Sequence, residues 1–120
     1  MNLVETPLMH TLSRALDLTS QRQSLVSQNV ANIDTPGYKA KDIDFRQELQ
    51  RALTEDAGPP AATLVREVPG LIERPDGNNV SLDRESLLMA QNQLAFQVDV
   101  QLLRAEFNRL QLAINGGSGQ

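Results

Sequence analysis

Apolar residues recur with a helical period at both ends of this chain and lose that period in the middle. In the first stretch, four positions fall seven residues apart, and four more interleave with them at spacings of four and three. Two of these eight positions are polar. Pro7 is favoured in a first helical turn, and the Asp-Thr-Pro-Gly sequence after Ile33 disfavours further helix. The pattern therefore predicts an amphipathic helix from about Pro7 to about Ile33. Its packing positions include Leu12, Leu16, Val26, Val30 and Ile33.

The second periodic stretch is longer and more regular. Ser81 suits an N-cap, and Asp83 and Glu85 fall in the first turn, where the helix dipole favours acids. Asn115 and the two glycines after it suit a C-terminal stop. The helix predicted over residues 82–115 is about 50 Å long, three to four times the average in small domains. Its packing positions are Leu82, Met89, Phe96, Val100, Leu103, Phe107, Leu110 and Ile114.

The middle of the chain carries shorter and mixed signals. Part of residues 39–53 is predicted to form a short helix, and residues 54–63 are typical of a loop. Residues 64–68 and 71–74 are predicted to be short strands on either side of a Pro-Gly turn. A two-stranded ribbon is only marginally stable alone, so it requires a surface to pack on.

These elements predict a mainly α fold, in which two long terminal amphipathic helices pair as a coiled-coil-like arm around a short irregular or β-ribbon middle. We divide the chain into an N-terminal helical arm (residues 1–35), a turn, loop and ribbon region (residues 36–80) and a C-terminal helical arm (residues 81–120). The two arms form one discontinuous helical domain. Two helices cover only one side of such broad stripes, so the remaining apolar surface is expected to face neighbouring subunits. Periodicity alone is equally compatible with a monomeric helical bundle.

Composition limits the chemistry that the chain can perform. Its 120 residues contain no Cys, no Trp and 40% hydrophobic residues, which argues against a dense independent core. Without Cys there is no thiol catalysis, Cys-based zinc site or disulfide, and the single histidine, His10, excludes a multi-histidine metal site. No nucleophile–base pair, phosphate loop or metal-ligand spacing is present in the sequence. We therefore predict a protein that is not an enzyme and uses no cofactor.

Charge excludes further classes of function. The 11 basic and 15 acidic residues give a net charge of −4, and the basic residues form no patch for nucleic acid. No apolar run is long enough to span a membrane, and the N-terminus lacks the pattern of a cleaved secretory signal.

The carboxylates of Asp42 and Asp44 are interpreted as solvated or interfacial charges. Residues 76–78 lack the remaining ligands of a calcium loop, and residues 79–81 are interpreted as a turn and helix cap rather than a glycosylation site.

A short motif follows the first helix. Ala31, Asn32, Thr35, Gly37 and Tyr38 match all five fixed positions of the pattern Ala-Asn, two variable residues, Thr, one variable residue, Gly-Tyr. This pattern resembles the signature of bacterial flagellar rod, hook and hook-associated axial proteins, and it lies at the end of an N-terminal helix, as in that family. Residues 77–85, followed by Asn-Gln at positions 92 and 93, resemble the C-terminal helix start of one short proximal-rod member, and another short proximal-rod member is the alternative.

The motif also has a local physical interpretation. Asn32 and Thr35 can bond backbone groups where the helix ends, and Gly37 can adopt a backbone angle that other residues avoid. Tyr38 has an apolar ring and a polar tip, which suits it to pin the turn on a neighbouring helix. The simpler interpretation is an ordinary helix-ending turn. If the resemblance holds, the five motif residues are structural and assembly determinants rather than catalysts.

The resemblance implies a structural subunit of the flagellar basal-body rod. Its terminal helices would polymerise into the periplasm-spanning shaft that transmits torque, encloses the export channel and is needed for motility. The subunit would leave the cytoplasm through the flagellar type III apparatus without signal cleavage. Its implied partners are copies of itself, other rod proteins, the rod–ring junction protein and the export gate, with no nucleic acid and no membrane span. A cytoplasmic helical adaptor or export chaperone is the alternative function.

Overall fold

The computed structural model describes residues 6–54 and 62–118. Within these residues the order of elements is α1 (Pro7–Ala31), β1 (Lys41–Ile43), α2 (Phe45–Thr54), β2 (Val65–Glu67) and α3 (Leu82–Ser118). The molecule is elongated, with principal extents of 72 × 27 × 18 Å. Helices α1 and α3 lie against each other, and the short elements pack near the end of the pair that holds the C-terminus of α1. The predicted mainly α fold with paired terminal helices is confirmed.

Helix α1 begins at Pro7, as the sequence predicts. Thr6 is the N-cap, and its side-chain oxygen accepts a hydrogen bond from the backbone N–H of Met9 at 3.1 Å. Pro7 occupies the first turn, where its missing N–H costs no helical bond. The helix ends at Ala31, two residues before the predicted end. Asn32 leaves helical geometry with φ −104° and ψ 16°, and the next N–H, that of Ile33, donates to the carbonyl of Val30 only three residues back.

Helix α3 begins at the predicted residue and runs slightly beyond the predicted end. The hydroxyl of Ser81 accepts a hydrogen bond from the N–H of Arg84 at 3.2 Å, so Ser81 caps the helix. The helix continues for 37 residues, about 55 Å at 1.5 Å per residue, and passes through Gly116. It runs antiparallel to α1, since Asn29 near the end of α1 contacts Glu85 near the start of α3.

A short antiparallel ribbon is present, but one of its strands differs from the prediction. Strand β2 lies within the predicted residues 64–68, and its partner is β1, with Lys41 opposite Glu67 and Ile43 opposite Val65. Residues 71–74 are not a strand, so that part of the prediction is wrong. The backbone N–H of Arg74 donates to the carbonyl of Asn78, which commits this segment to a turn. Residues 55–61 of the predicted loop lie outside the described residues.

The short helix α2 ties the ribbon to α1. Asp44 accepts a hydrogen bond from the N–H of Gln47 at 3.1 Å and so caps α2. Buried Glu48 accepts a hydrogen bond from the N–H of Leu64 at 3.3 Å, which holds the entry to β2 against α2. Buried Leu18, Leu25 and Ile43 form a small apolar cluster, with Phe45 and Leu49 packed on it. The other buried hydrophobic residues among those described are Leu12, Ala15, Val26, Ala40, Val80 and Leu88. A core of this size agrees with the low aromatic content of the chain.

Candidate assembly site

The signature turn, residues 31–38, reverses the chain directly after α1. The side-chain amide of Asn32 donates to the carbonyl of Gln28 at 2.8 Å, and its oxygen accepts from the hydroxyl of Thr35 at 3.1 Å. The backbone N–H of Thr35 donates to the carbonyl of Asn32, and that of Tyr38 donates to the carbonyl of Thr35. The side chain of Asn32 therefore braces the last turn of α1, and the N–H of Thr35 supplies a partner for the carbonyl of Asn32 at the helix end.

The turn is fastened to the loop before α3 by a residue that the motif does not contain. Asn78 is fully buried, and its amide nitrogen donates to the carbonyls of Asn32 and Thr35, both at 2.9 Å. Its side-chain oxygen accepts from the backbone N–H of Val80 at 2.9 Å. One side chain thus joins the end of α1 to the start of α3.

Two glycines meet at this junction. Gly37 and Gly77 both have positive φ, of 76° and 87°, where other residues are strained. A Cβ atom on Gly77 would lie 3.3 Å from the Cα of Gly37, which is a tight contact with backbone. The N–H of Gly37 also donates to the carbonyl of Asp76 at 2.9 Å. The glycine of the signature therefore serves both the turn and the close approach of the second loop.

The chain leaving the signature turn is held by the same loop. The N–H of Asn79 donates to the carbonyl of Tyr38 at 3.2 Å, and the side-chain oxygen of Asn79 accepts from the N–H of Ala40 at 2.7 Å. Lys39 forms an ion pair with Glu73 at 2.6 Å. This pair is partly exposed, so it contributes less to stability than the buried amide contacts of Asn78.

Asn29 is the centre of the contact between α1, β1 and α3. It is 1% exposed, and its amide nitrogen donates to the carbonyl of Lys41 at 2.9 Å and to the carboxylate of Glu85 at 3.0 Å. Its oxygen accepts from the hydroxyl of Tyr38 and from the N–H of Lys41, both at 3.0 Å. All four hydrogen-bonding positions of the side chain are therefore occupied.

A buried ion cluster extends this junction. The carboxylate of Asp42 accepts from Arg22 in a bidentate pair at 2.9 and 3.0 Å, and from Arg84 at 2.6 Å. Burial acts to raise the pKa of Asp42, but the hydrogen bonds from Arg22, the N–H of Ile43 and Arg84 outweigh it, so the pKa is lowered. Asp42 is thus a buried acceptor that joins α1 to α3, whereas the sequence interpretation favoured a solvated or interfacial charge.

Glu85 is the second carboxylate of the cluster and is fully buried. One of its oxygens accepts from Asn29 and from Arg84, and the other has no hydrogen-bond partner among the described residues. Burial raises the pKa of Glu85, and the hydrogen bond from Asn29 and the charge of Arg84 only partly oppose this. Burial, followed by the nearby charge of Glu85, also raises the pKa of Tyr38. The cluster therefore favours a protonated Tyr38 and tolerates a charged Glu85 at some cost.

The remaining candidates carry no such geometry. Asp44 pairs with Arg66 at 3.1 Å in a partly exposed contact. His10 lies on the exposed side of α1. In residues 6–54 and 62–118, no group of three or more His, Cys, Asp or Glu side chains is arranged to hold a metal ion. The helices of the same residues include none that is both long and apolar enough to cross a membrane.

Comparison with known proteins decides the family. A family model for the flagella basal body rod protein matches residues 9–39, which contain the whole signature turn. The flagellar basal body rod protein FlgB of Salmonella typhimurium is 34% identical, over 87% of this chain and 90% of that protein. FlgB of Escherichia coli is equally similar over the same shares, and FlgB of Cereibacter sphaeroides is 39% identical over 87% of this chain and 91% of its own. The chain belongs to the FlgB family. It is a structural subunit of the flagellar basal-body rod.

The FlgB-family chain joins its two long helices through a polar face of α3. Every seventh residue of this face is polar and at least half-buried: Glu85, Asn92, Asp99 and Glu106. Hydrogen bonds to α1 and its N-cap link Glu85 to Asn29, Asn92 to Gln23 and Glu106 to Thr6, at 3.0, 3.1 and 3.3 Å. Leu88 is a buried apolar residue of this face, 6% exposed. Specific polar pairs spaced along the helices select one antiparallel register, because a shift would leave them unpaired.

The predicted packing residues fall into two groups in this FlgB-family structure. Those of α1 lie toward the interior: Leu12 and Val26 are buried, and Leu16, Val30 and Ile33 are half-buried. Those of α3 lie mostly beside the face that contacts α1: Val100, Leu103 and Leu110 are half-buried, and Leu82, Met89, Phe96, Phe107 and Ile114 are exposed. Their assignment to packing between helices and subunits remains a prediction, and α1 does not bury the exposed five.

Several residues of the site were not found from the sequence. Asn29 and Arg22 lie on α1 outside the motif, and Asn78 and Arg84 lie in the stretch of residues 77–85, which was noted for its resemblance and not for these contacts. Asn29 did carry one signal, since it lies one turn after the predicted packing residue Val26, in the stripe of the helix that is predicted to pack. A polar residue in such a stripe is typical of a buried hydrogen-bonded position.

Proposed function

We propose that this rod subunit polymerises through its two terminal helices, as part of the proximal rod that encloses the export channel and transmits torque. The observation that carries the proposal is the apolar surface of α3. Ten large hydrophobic side chains of this helix are 38–72% exposed. Exposed apolar surface of this extent on one helix marks a protein interaction site.

The order of elements supports a discontinuous helical domain made of residues 1–35 and 81–120, with residues 36–80 between them. Asn29, Asn78 and Asp42 fasten this middle region to both helices. In the proposal, the signature turn sets the relative position of α1 and α3, and the exposed residues of α3 contact neighbouring subunits. The signature turn therefore acts in assembly indirectly, because it fixes the position of the two helices relative to each other. Its motif residues are Ala31, Asn32, Thr35, Gly37 and Tyr38.

The partners in this proposal are copies of this chain and other rod proteins, with the rod–ring junction protein and the export gate at the base. The subunit reaches the rod by flagellar type III export from the cytoplasm, without a cleaved signal. Export as an unfolded chain agrees with the absence of cysteine, since a disulfide would close a loop in the exported chain. The small apolar core agrees with a chain that completes its burial only on assembly.

A truncation tests the proposal in the source bacterium. Removing residues 103–120 deletes Leu103, Phe107, Leu110 and Ile114, and we expect loss of rod assembly and of motility. The matched control removes residues 117–120 only, which contain none of the predicted packing residues, and should leave cells motile. Rods of normal length in isolated basal bodies of the longer truncation would contradict the proposal.

A further inference from the structure

Glu85 lies where three parts of the fold meet. Its side chain is fully buried in the first turn of α3, and Asn29 of α1 donates to one of its oxygens at 3.0 Å. The same Asn29 amide binds both backbone groups of Lys41 and the hydroxyl of Tyr38, so it also holds β1 and the signature turn. The state of the Glu85 carboxylate therefore affects how firmly α3 docks on the rest of the chain.

Two carboxylates in this junction share one guanidinium. Arg84 donates to Asp42 at 2.6 Å and to Glu85 at 3.2 Å. Asp42 also accepts two hydrogen bonds from Arg22 and one from the backbone N–H of Ile43, so both of its oxygens are bonded. The second oxygen of Glu85, Oε2, is buried and has no hydrogen-bond partner among the described residues. The donors of the junction are thus shared unequally, in favour of Asp42.

The titratable and charged groups around Glu85 come from each element packed at the junction. They are Arg22 on α1, Tyr38 in the signature turn, Asp42 on β1 and Arg84 on α3. Of these four, Arg84 alone donates a hydrogen bond to the Glu85 carboxylate. Burial, followed by the charge of Glu85, raises the pKa of Tyr38, so its hydroxyl stays neutral. The proton balance of the junction therefore depends on its two carboxylates.

The two carboxylates respond to pH in opposite directions. Burial raises the pKa of Glu85 above its ordinary value of 4.5, and the bond from Asn29 and the charge of Arg84 only partly oppose this. Burial also acts to raise the pKa of Asp42, but its hydrogen bonds hold that pKa below the ordinary value of 3.8. A carboxylate with a raised folded pKa loses stability as the pH rises, and one with a lowered folded pKa loses it as the pH falls. The contribution of Glu85 therefore decreases above pH 4.5, and that of Asp42 decreases below pH 3.8.

We propose that Glu85 is a proton-binding site that makes the junction of α1, β1 and α3 sensitive to pH. The proton comes from solvent and binds Oε2, the oxygen without a partner, so the hydrogen bonds that the other oxygen accepts from Asn29 and Arg84 are kept. Proton binding removes a buried charge that is only partly compensated. Helix α3 is therefore held more firmly at mildly acidic than at neutral pH. This property belongs to the folded subunit and does not depend on the proposed rod function.

Denaturant unfolding of the purified full chain at several pH values tests the proton site. The wild type is compared with Glu85→Gln, which has nearly the same shape, can still accept the bond from Asn29 and cannot ionise. The matched control is Glu67→Gln, because Glu67 is an exposed residue of β2. Asp99 is present in all three proteins, so its own titration cancels when they are compared.

From about pH 7 to about pH 5, the unfolding constant of the wild type should fall about threefold or more relative to that of Glu85→Gln. The Glu67→Gln control should follow the wild type. If the ratio of the wild-type and Glu85→Gln constants stays the same over this range, or changes in the opposite sense, the proposal is overturned.

Nuclear magnetic resonance of the wild type gives the answer without a substitution, which covers the case in which Glu85→Gln does not fold. The chemical shift of the Glu85 carboxyl carbon is followed against pH, and its midpoint should lie above 4.5. A midpoint at or below 4.5 would overturn the proton site. Both measurements use the purified chain, whereas the truncation of residues 103–120 tests the rod function in cells, so the two failures are distinguishable.

Discussion

Asn29→Ala tests whether the junction of α1, β1 and α3 is held by one buried amide. The substitution removes four hydrogen bonds of 2.9–3.0 Å, which join Asn29 to Tyr38, to both backbone groups of Lys41 and to Glu85. It keeps a good helix former on α1, so the intrinsic helix propensity is not lowered. The expected effect therefore comes from the partners that lose their bonds.

The magnitude follows from the burial of each bond. The contact with Glu85 is fully buried, and leaving a buried polar group without a partner costs about 1–3 kcal/mol. The other three bonds are partly buried, and a typical net contribution is about 0.5–1.5 kcal/mol each, reduced where water reaches the released group. We expect a loss of about 3 kcal/mol in the free energy of unfolding. This is a large share of the roughly 5–15 kcal/mol that stabilises a small domain.

Denaturant unfolding of the full chain, followed by circular dichroism, measures this loss. The fluorescence of Tyr38, the single tyrosine, reports the junction separately. The matched control is Asn32→Ala, a motif residue whose side-chain bonds are exposed, with an expected cost below about 1 kcal/mol. The reasoning is refuted if Asn29→Ala costs no more than Asn32→Ala, or if both cost less than about 1 kcal/mol.

Three other substitutions test separate parts of the structure. Gly77→Ala should lower the stability in thermal unfolding clearly more than Gly70→Ala, for which we expect a loss of about 1–2 kcal/mol. Both glycines have positive φ, but only a Cβ atom on Gly77 would contact Gly37. Equal losses would contradict the close approach of Gly77 and Gly37. Leu103→Asp should weaken helix pairing by about 1–3 kcal/mol and abolish motility, while exposed Gln101→Asp should do neither. Burial raises the pKa of Asp99 above its unfolded value, so the wild type loses stability as pH rises through the folded pKa. The Asp99→Asn variant should therefore be more stable than wild type near about pH 7 and lose that advantage near about pH 3. If the difference in unfolding free energy between the two proteins is the same at both pH values, ionisation of Asp99 is not its cause.

Local signals predicted the helices well. The start of α1 depends on Thr6 and Pro7, and the start of α3 on Ser81, and each acts within one turn of the helix. The ribbon partner could not be predicted in this way. Strand β1 has only three residues and becomes a strand because the chain brings it beside β2, whereas residues 71–74 are drawn into the turn by Asn78.

The buried face of α3 shows the same limit. Periodicity identified the apolar stripe through Met89 and Phe96, but it does not tell which stripe faces α1. The face that does so contains Glu85 and Asn92, because Asn29 and Gln23 on α1 supply their hydrogen bonds. Such pairs depend on the register of two helices more than fifty residues apart in sequence, so they are visible only in three dimensions. The motif located the turn, and the structure located the buried amides that hold it.

Basal bodies isolated from a strain that lacks this chain test the central claim most directly. Electron microscopy of these particles is compared with particles from the same strain carrying the wild-type chain. A structural rod subunit predicts that the particles without the chain have no completed rod, and that the wild-type chain restores it. Complete rods in the absence of the chain would contradict its role as a structural subunit of the rod.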